Sequence, residues 1–90
     1  MRIVTICGTG LGSSGILKVN AERVLRKLEI DAEVVAADLE SLPEVAGTAQ
    51  VILTSSEFVE AIGRTFADVV VIDNYFDTAE LTEKLQRALG

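Results

Sequence analysis

The sequence predicts an α/β domain: a four-stranded parallel sheet with helices on both faces. Two observations carry this. Strand-like and helix-like segments alternate four times along 90 residues. The strand-like segments are continuous apolar runs (RIVTI, AEVVAA, QVILT, DVVVI), the pattern of strands covered on both faces, not of strands with one wet side. No repeat, linker or low-complexity stretch divides the chain. With 49% hydrophobic residues, 90 residues suffice for one domain, 1–90, with its own core.

Residues 2–6 are short, β-branched and followed by glycine, which predicts a buried strand. Residues 13–29 predict a helix, because Leu17, Ala21, Val24, Leu25 and Leu28 fall on one stripe. Residues 32–37 predict the second strand. Residues 38–49 form a polar connection with Pro43 and Gly47 and room for one helical turn. Residues 50–54 predict the third strand. Ser55 and Ser56 are placed to cap a short helix carrying Phe58, Val59 and Ile62 and stopped by Gly63. Residues 68–72 predict the fourth strand. Asp77-Thr78-Ala79-Glu80 has capping-box spacing, and Leu81, Leu85, Ala88 and Leu89 then share one side of a last helix.

Composition narrows the function. The net charge is -6 and the isoelectric point about 4.5, a surface that repels phosphate backbones. Lys18, Arg23, Arg26 and Lys27 are interleaved with Glu22 and Glu29, the pattern of a solvated helix face, so no nucleic-acid partner is expected. No apolar run approaches the roughly 20 residues that span a bilayer, so no direct membrane insertion is expected. One cysteine forms no internal disulfide, and the start of the chain lacks a signal-peptide pattern; both point to a reducing, cytoplasmic location. The absence of histidine removes Ser-His-Asp and Cys-His catalysis within the chain and the common zinc sites. No metal or cofactor is expected.

In a parallel sheet of this kind ligands bind beyond the carboxyl ends of the strands. Residues 7–14, 38–41, 54–57 and 73–77 should therefore share one rim. The first of these segments, CGTGLGSS, holds the lone cysteine at the mouth of a glycine loop. Gly8, Gly10 and Gly12 let the backbone turn with its N–H groups inward. Converging N–H groups and a helix start form an anion site, and the same field favours a thiolate at Cys7. Thr9, Ser13 and Ser14 add hydroxyl donors. The stretch thus reads as a cradle of residues 8–14 (Gly8, Thr9, Gly10, Leu11, Gly12, Ser13 and Ser14) for a phosphoryl group carried on Cys7.

Other readings fit the same letters. Cys7 can be a buried filler, and the serines can be helix caps. Gly10-Leu11-Gly12-Ser13-Ser14-Gly15 matches a dinucleotide fingerprint, with Asp38 where a ribose-binding acid would stand, although the register is late. That leaves a nucleotide- or anion-binding module with an inert Cys7. Cys7 followed after five residues by Ser13 and Ser14 resembles the loop of low-molecular-weight phosphatases and arsenate reductases. Ser13 stands where their arginine would be, and no serine replaces a bidentate guanidinium. A cradle without it suits a slow phosphatase less than a phosphate relay.

The segment CGTGLGSS at 7–14, the strand and turn VILTS at 51–55 and VIDNYFD at 71–77 resemble the IIB component of the bacterial phosphoenolpyruvate-dependent sugar phosphotransferase system. The DNYFD segment is most similar to the ascorbate-type branch of the lactose/galactitol-like group; Thr9 stands where asparagine is frequent. The resemblance implies strand order 2-1-3-4, in a fold related to the low-molecular-weight phosphatases and Rossmann-like domains. It implies that a IIA phosphohistidine passes its phosphoryl group to Cys7, and that Cys7 passes it to a sugar, by this branch L-ascorbate, held in the membrane IIC transporter. The chain would be cytoplasmic, at the inner membrane face through IIC. Leu11, Ile16, Tyr75 and Phe76 are candidate partner contacts. Asp38, Asp73 and Asp77 are acids facing a site for an anion: they read as turn and cap residues, most clearly Asp77, or as charges whose repulsion keeps the thiophosphate transferable.

Overall fold

The computed structural model describes residues 1–6, 11–38, 40–63, 65, 67–74 and 76–89; the side chains of 11–14, 45 and 46 lie outside the description. Eight elements follow in order: β1 (Arg2–Ile6), α1 (Leu11–Lys27), β2 (Glu33–Ala37), α2 (Leu42–Val45), β3 (Val51–Thr54), α3 (Val59–Ile62), β4 (Asp68–Val71) and α4 (Thr78–Leu89). Short 3-10 turns at Ala46–Thr48 and Ser56–Phe58 precede β3 and α3. All strands pair in parallel, in the order β2-β1-β3-β4. This is the predicted sheet.

Strand alternation divides the core into two layers. Ile3, Val34, Val51 and Leu53 face Leu17, Ala21 and Leu25 of α1 and Leu81 and Leu85 of α4. Val4, Ile6 and Ile52 face the opposite way, onto Leu42 of α2 and Ile62 of α3. Each fully buried aliphatic side chain contributes about 1.5–3 kcal/mol. The stripe expected on α1 is the face that packs, with Leu28 at its half-buried end.

The termini of α1 differ from expectation by two residues, and the C-terminal shift has a cause. Ile30 must fold back to pack on the core, so the helix closes at Lys27. Glu29 takes φ 59, the Ile30 N–H bonds to the Leu25 carbonyl at 2.9 Å, and the Glu29 N–H bonds to that of Arg26 at 3.2 Å. This is the Schellman closure, with glutamate where glycine is usual.

At α4, Asp77 is the cap: its Oδ1 accepts the N–H groups of Ala79 at 3.0 Å and Glu80 at 3.1 Å. The reciprocal half of the expected box is not formed. The Asp77 N–H is taken by the Asn74 carbonyl at 3.0 Å. The Glu80 carboxylate reaches further back, to the N–H groups of Asp73 at 2.9 Å and Asn74 at 3.0 Å. Gly63 closes α3 with φ 68, its N–H on the Val59 carbonyl, as expected.

The predicted side-chain cap at Ser55 is absent. Ser55 occupies the cap position of the turn Ser56–Phe58, but its hydroxyl makes no capping bond. The Ser55 carbonyl holds the turn instead, accepting the Phe58 N–H at 3.1 Å.

Candidate active site

The four strands are parallel and in register, so their carboxyl ends form one rim. Ile6 lies between Ala37 and Thr54, and Thr54 lies beside Val71. Two further bonds extend this order. The Thr54 hydroxyl donates to the Ile6 carbonyl at 2.7 Å, and the Ile72 N–H donates to the Thr54 carbonyl at 2.7 Å. The chain therefore leaves β1, β3 and β4 at neighbouring points, after Ile6, Thr54 and Val71.

Between Ile6 and Leu11 the chain passes from β1 into the 17-residue helix α1. Cys7, Gly8, Thr9 and Gly10 occupy this passage and lie outside the described residues. Leu11, Gly12, Ser13 and Ser14 form the first turn of α1 in backbone; their side chains are outside the description. That turn carries no acid, while Arg26 and Lys27 lie in the last turn. Both features follow the helix dipole and leave the positive end of α1 unneutralised by its own side chains.

The remaining rim segments are braced by their own polar groups. After β2, Asp38 Oδ1 accepts the Ser41 N–H at 2.8 Å and its hydroxyl at 2.7 Å. These two bonds, the hydroxyl's first, hold the Asp38 carboxyl below its ordinary pKa. Asp38 is thus a turn residue that leads into α2. After β4, Lys84 joins three groups: the Val71 carbonyl at 2.5 Å, Glu80 at 2.5 Å and Asp73 at 3.8 Å. The Lys84 ammonium holds Glu80 below its ordinary pKa against the smaller, opposing effect of burial, and the N–H groups of Asp73 and Asn74 add to the lowering. Asn74 Oδ1 accepts the Phe76 N–H at 3.0 Å. The sequence reading overlooked Glu80 and Lys84 as rim braces. A carboxylate and an amine four apart on the helix that follows the rim segment were the available signal.

Two candidate contact residues are on the surface: Phe76 is 72% exposed and Ile16 37%. Leu11 and Tyr75, the other two, lie outside the described side chains. Among the basic residues of α1, Lys18 pairs with Glu22 at 3.5 Å, and Arg23, Arg26 and Lys27 are exposed, the solvated face that was expected. No helix among the described residues is long and apolar enough to cross a membrane.

The family model of the lactose/cellobiose-specific IIB subunit of the PTS system matches residues 2–87, nearly the whole chain. The chain belongs to this family. This IIB chain is 24% identical over 90 residues to the ascorbate-specific PTS system EIIB component of Mycoplasma pneumoniae, covering 99% of the chain and 95% of that protein. Its fold is similar to the lactose-specific IIB domain of the phosphoenolpyruvate:carbohydrate phosphotransferase system from Streptococcus pneumoniae. The TM-score is 0.67 at 14% identity, covering 99% of this chain and 90% of that one. Membership makes the protein a IIB component of sugar phosphotransfer, and the IIB fold is the one derived above.

Proposed function

We propose that residues 1–90 act as one IIB domain whose Cys7 carries the phosphoryl group. The observation that supports this most directly is positional. The lone cysteine of a IIB-family chain is the first residue after β1, where the chain enters a long helix with no acid in its first turn. The Cys7 thiolate attacks the phosphorus of a IIA phosphohistidine in line; the N–P bond breaks, its electron pair returns to the imidazole, and an S–P bond forms. Backbone N–H groups and hydroxyls of Gly8, Thr9, Gly10, Leu11, Gly12, Ser13 and Ser14 hold the equatorial oxygens. A hydroxyl of the sugar in IIC then attacks, losing its proton, and the pair of the S–P bond returns to sulfur. No metal or cofactor takes part. The sugar is L-ascorbate, on the likeness to the Mycoplasma protein and the DNYFD segment. The chain works in the cytoplasm, at the inner membrane face through IIC.

Intact mass after incubation with phosphoenolpyruvate, the general phosphotransferase proteins and a matching IIA tests this. Wild type gains one phosphate and Cys7→Ser gains none. A Cys7→Ser chain that still takes phosphate removes Cys7 from the role. A wild type that takes none from a phosphorylated IIA, yet turns over aryl phosphates or is stabilised by nucleotide, supports the phosphatase or binding-module reading.

A further inference from the structure

The solvent side of α1 carries a stripe that no other element covers. Successive residues turn by about 100°, which sets Ile16, Val19, Arg23, Arg26 and Lys27 within an arc of about 100°. That arc lies opposite Leu17, Ala21 and Leu25, which face the core. All five stripe residues are exposed. The two apolar ones, Ile16 at 37% and Val19 at 46%, lie toward the end of the helix that follows β1. The cations continue the stripe toward the other end, over about 16 Å in all. Gly15 flanks the apolar end, and a Cβ there would meet nothing within 4 Å. Glycine weakens a helix interior relative to alanine. Packing within the domain does not account for it, whereas close approach of another surface does.

The stripe holds no acid, and Arg23, Arg26 and Lys27 make no ion pair among the described residues; Lys18, to one side, is paired with Glu22. α1 carries four of the chain's eight basic residues and one of its fourteen acids, in a chain of net charge -6. Across the sheet, on or beside α2 and α3, Glu40, Glu44, Glu57 and Glu60 are exposed. Charge is therefore divided between the two faces, and the basic face is the one with an uncovered apolar end.

We propose that this stripe docks the IIA phosphoryl donor, through an acidic surface on IIA with an apolar spot that meets Ile16 and Val19. The inference rests on the partner reading above and deepens it by naming the face. The membrane partner fits less well, because the cytoplasmic loops of membrane proteins carry an excess of Lys and Arg, which the stripe repels. A bilayer surface also fits less well. The core uses every other large apolar residue of the described part of α1, leaving two to enter lipid, and the acidic remainder of the chain is repelled by anionic headgroups.

The test is phosphoryl transfer from phosphorylated IIA, read as kcat/KM at increasing salt. Arg23→Gln with Arg26→Gln should lower it about fivefold or more at low salt. The gap should close near 1 M salt, where the Debye length is about 3 Å. Ala61→Glu with Arg87→Gln moves the net charge by the same amount on α3 and α4 and should change transfer by less than about twofold. Ile16→Gln with Val19→Gln should weaken IIA about tenfold in titration calorimetry at any salt. Every changed side chain is exposed, so melting temperatures should stay within a few degrees. Equal losses in the two charge-matched variants assign the effect to net charge and overturn the proposal. If wild type pellets with phosphatidylglycerol vesicles or self-associates through these residues while their loss leaves transfer intact, the stripe belongs to a membrane or a second copy, and the proposal falls. Stripe variants that take phosphate from IIA at the wild-type rate sink the docking face and leave the relay standing. A wild type that takes none sinks the relay, while IIA binding that the stripe variants lose still supports the face.

Discussion

The Thr54 hydroxyl donates to the Ile6 carbonyl at 2.7 Å, with both residues fully buried. It ties the end of β3 to the last residue before Cys7. Thr54→Val keeps the shape and removes the donor. We expect a loss of about 1–2 kcal/mol in urea denaturation, the cost of a buried group left without its bond. An unchanged midpoint would show that the Ile6 carbonyl is satisfied without Thr54.

Glu80 gathers two backbone N–H groups of the β4–α4 segment and the Lys84 ammonium. Its folded pKa is lowered, so its stabilisation is complete above the ordinary glutamate value of about 4.3 and is lost as pH falls through the lowered folded value. Glu80→Gln should cost about 1–2 kcal/mol near neutral pH. Stability curves of wild type and variant should converge below about pH 4. A difference that persists undiminished at low pH would show that packing, not charge, is what Glu80 provides.

Glu29 closes α1 in the left-handed region. A side chain there costs about 1–2 kcal/mol, which glycine does not incur. Allowing for the looser unfolded chain, Glu29→Gly should stabilise the protein by about 0.5–1 kcal/mol, read as a higher melting temperature. A lower melting temperature would mean that the Glu29 side chain contributes more than its conformation costs.

Phe76 is 72% exposed beside the rim. Phe76→Asp should leave stability within about 0.5 kcal/mol, as surface changes do. Affinity for the IIA partner should weaken about tenfold or more in titration calorimetry if this ring is an anchor. Equal affinity would remove Phe76 from the docking face.

The sheet was legible because each strand is an uninterrupted apolar run and each helix carries one stripe; Leu17, Ala21, Leu81 and Leu85 were placed by spacing alone and are buried. The rim segments were legible as places, since parallel order sends all four carboxyl ends to one side. Their bonds were not. Glu80 follows Asp77 at the spacing of a capping box, and the letters cannot reveal that Asn74 takes the N–H that Glu80 was expected to meet. Ser55 read as a cap because serine before a helical turn is a cap in most contexts; the extended strand direction turns its hydroxyl inward instead. Thr54 read as one more residue of an apolar strand. Its hydroxyl matters through which strand lies beside which, and that is a property of the pairing, not of the run.

The last carbonyl of β4 is occupied by Lys84, and β4 has β3 as its one strand neighbour in the sheet. Asp68 puts a charge at the other end of this edge. An open edge of valines invites another chain to add a strand, and a lysine folded over it discourages such addition. On the relay proposed above, the consequence concerns letting go. A carrier that meets two partners in turn must part from each after one transfer, and backbone pairing along β4 would make either meeting sticky. A blunted edge leaves such a carrier one fewer place to be held.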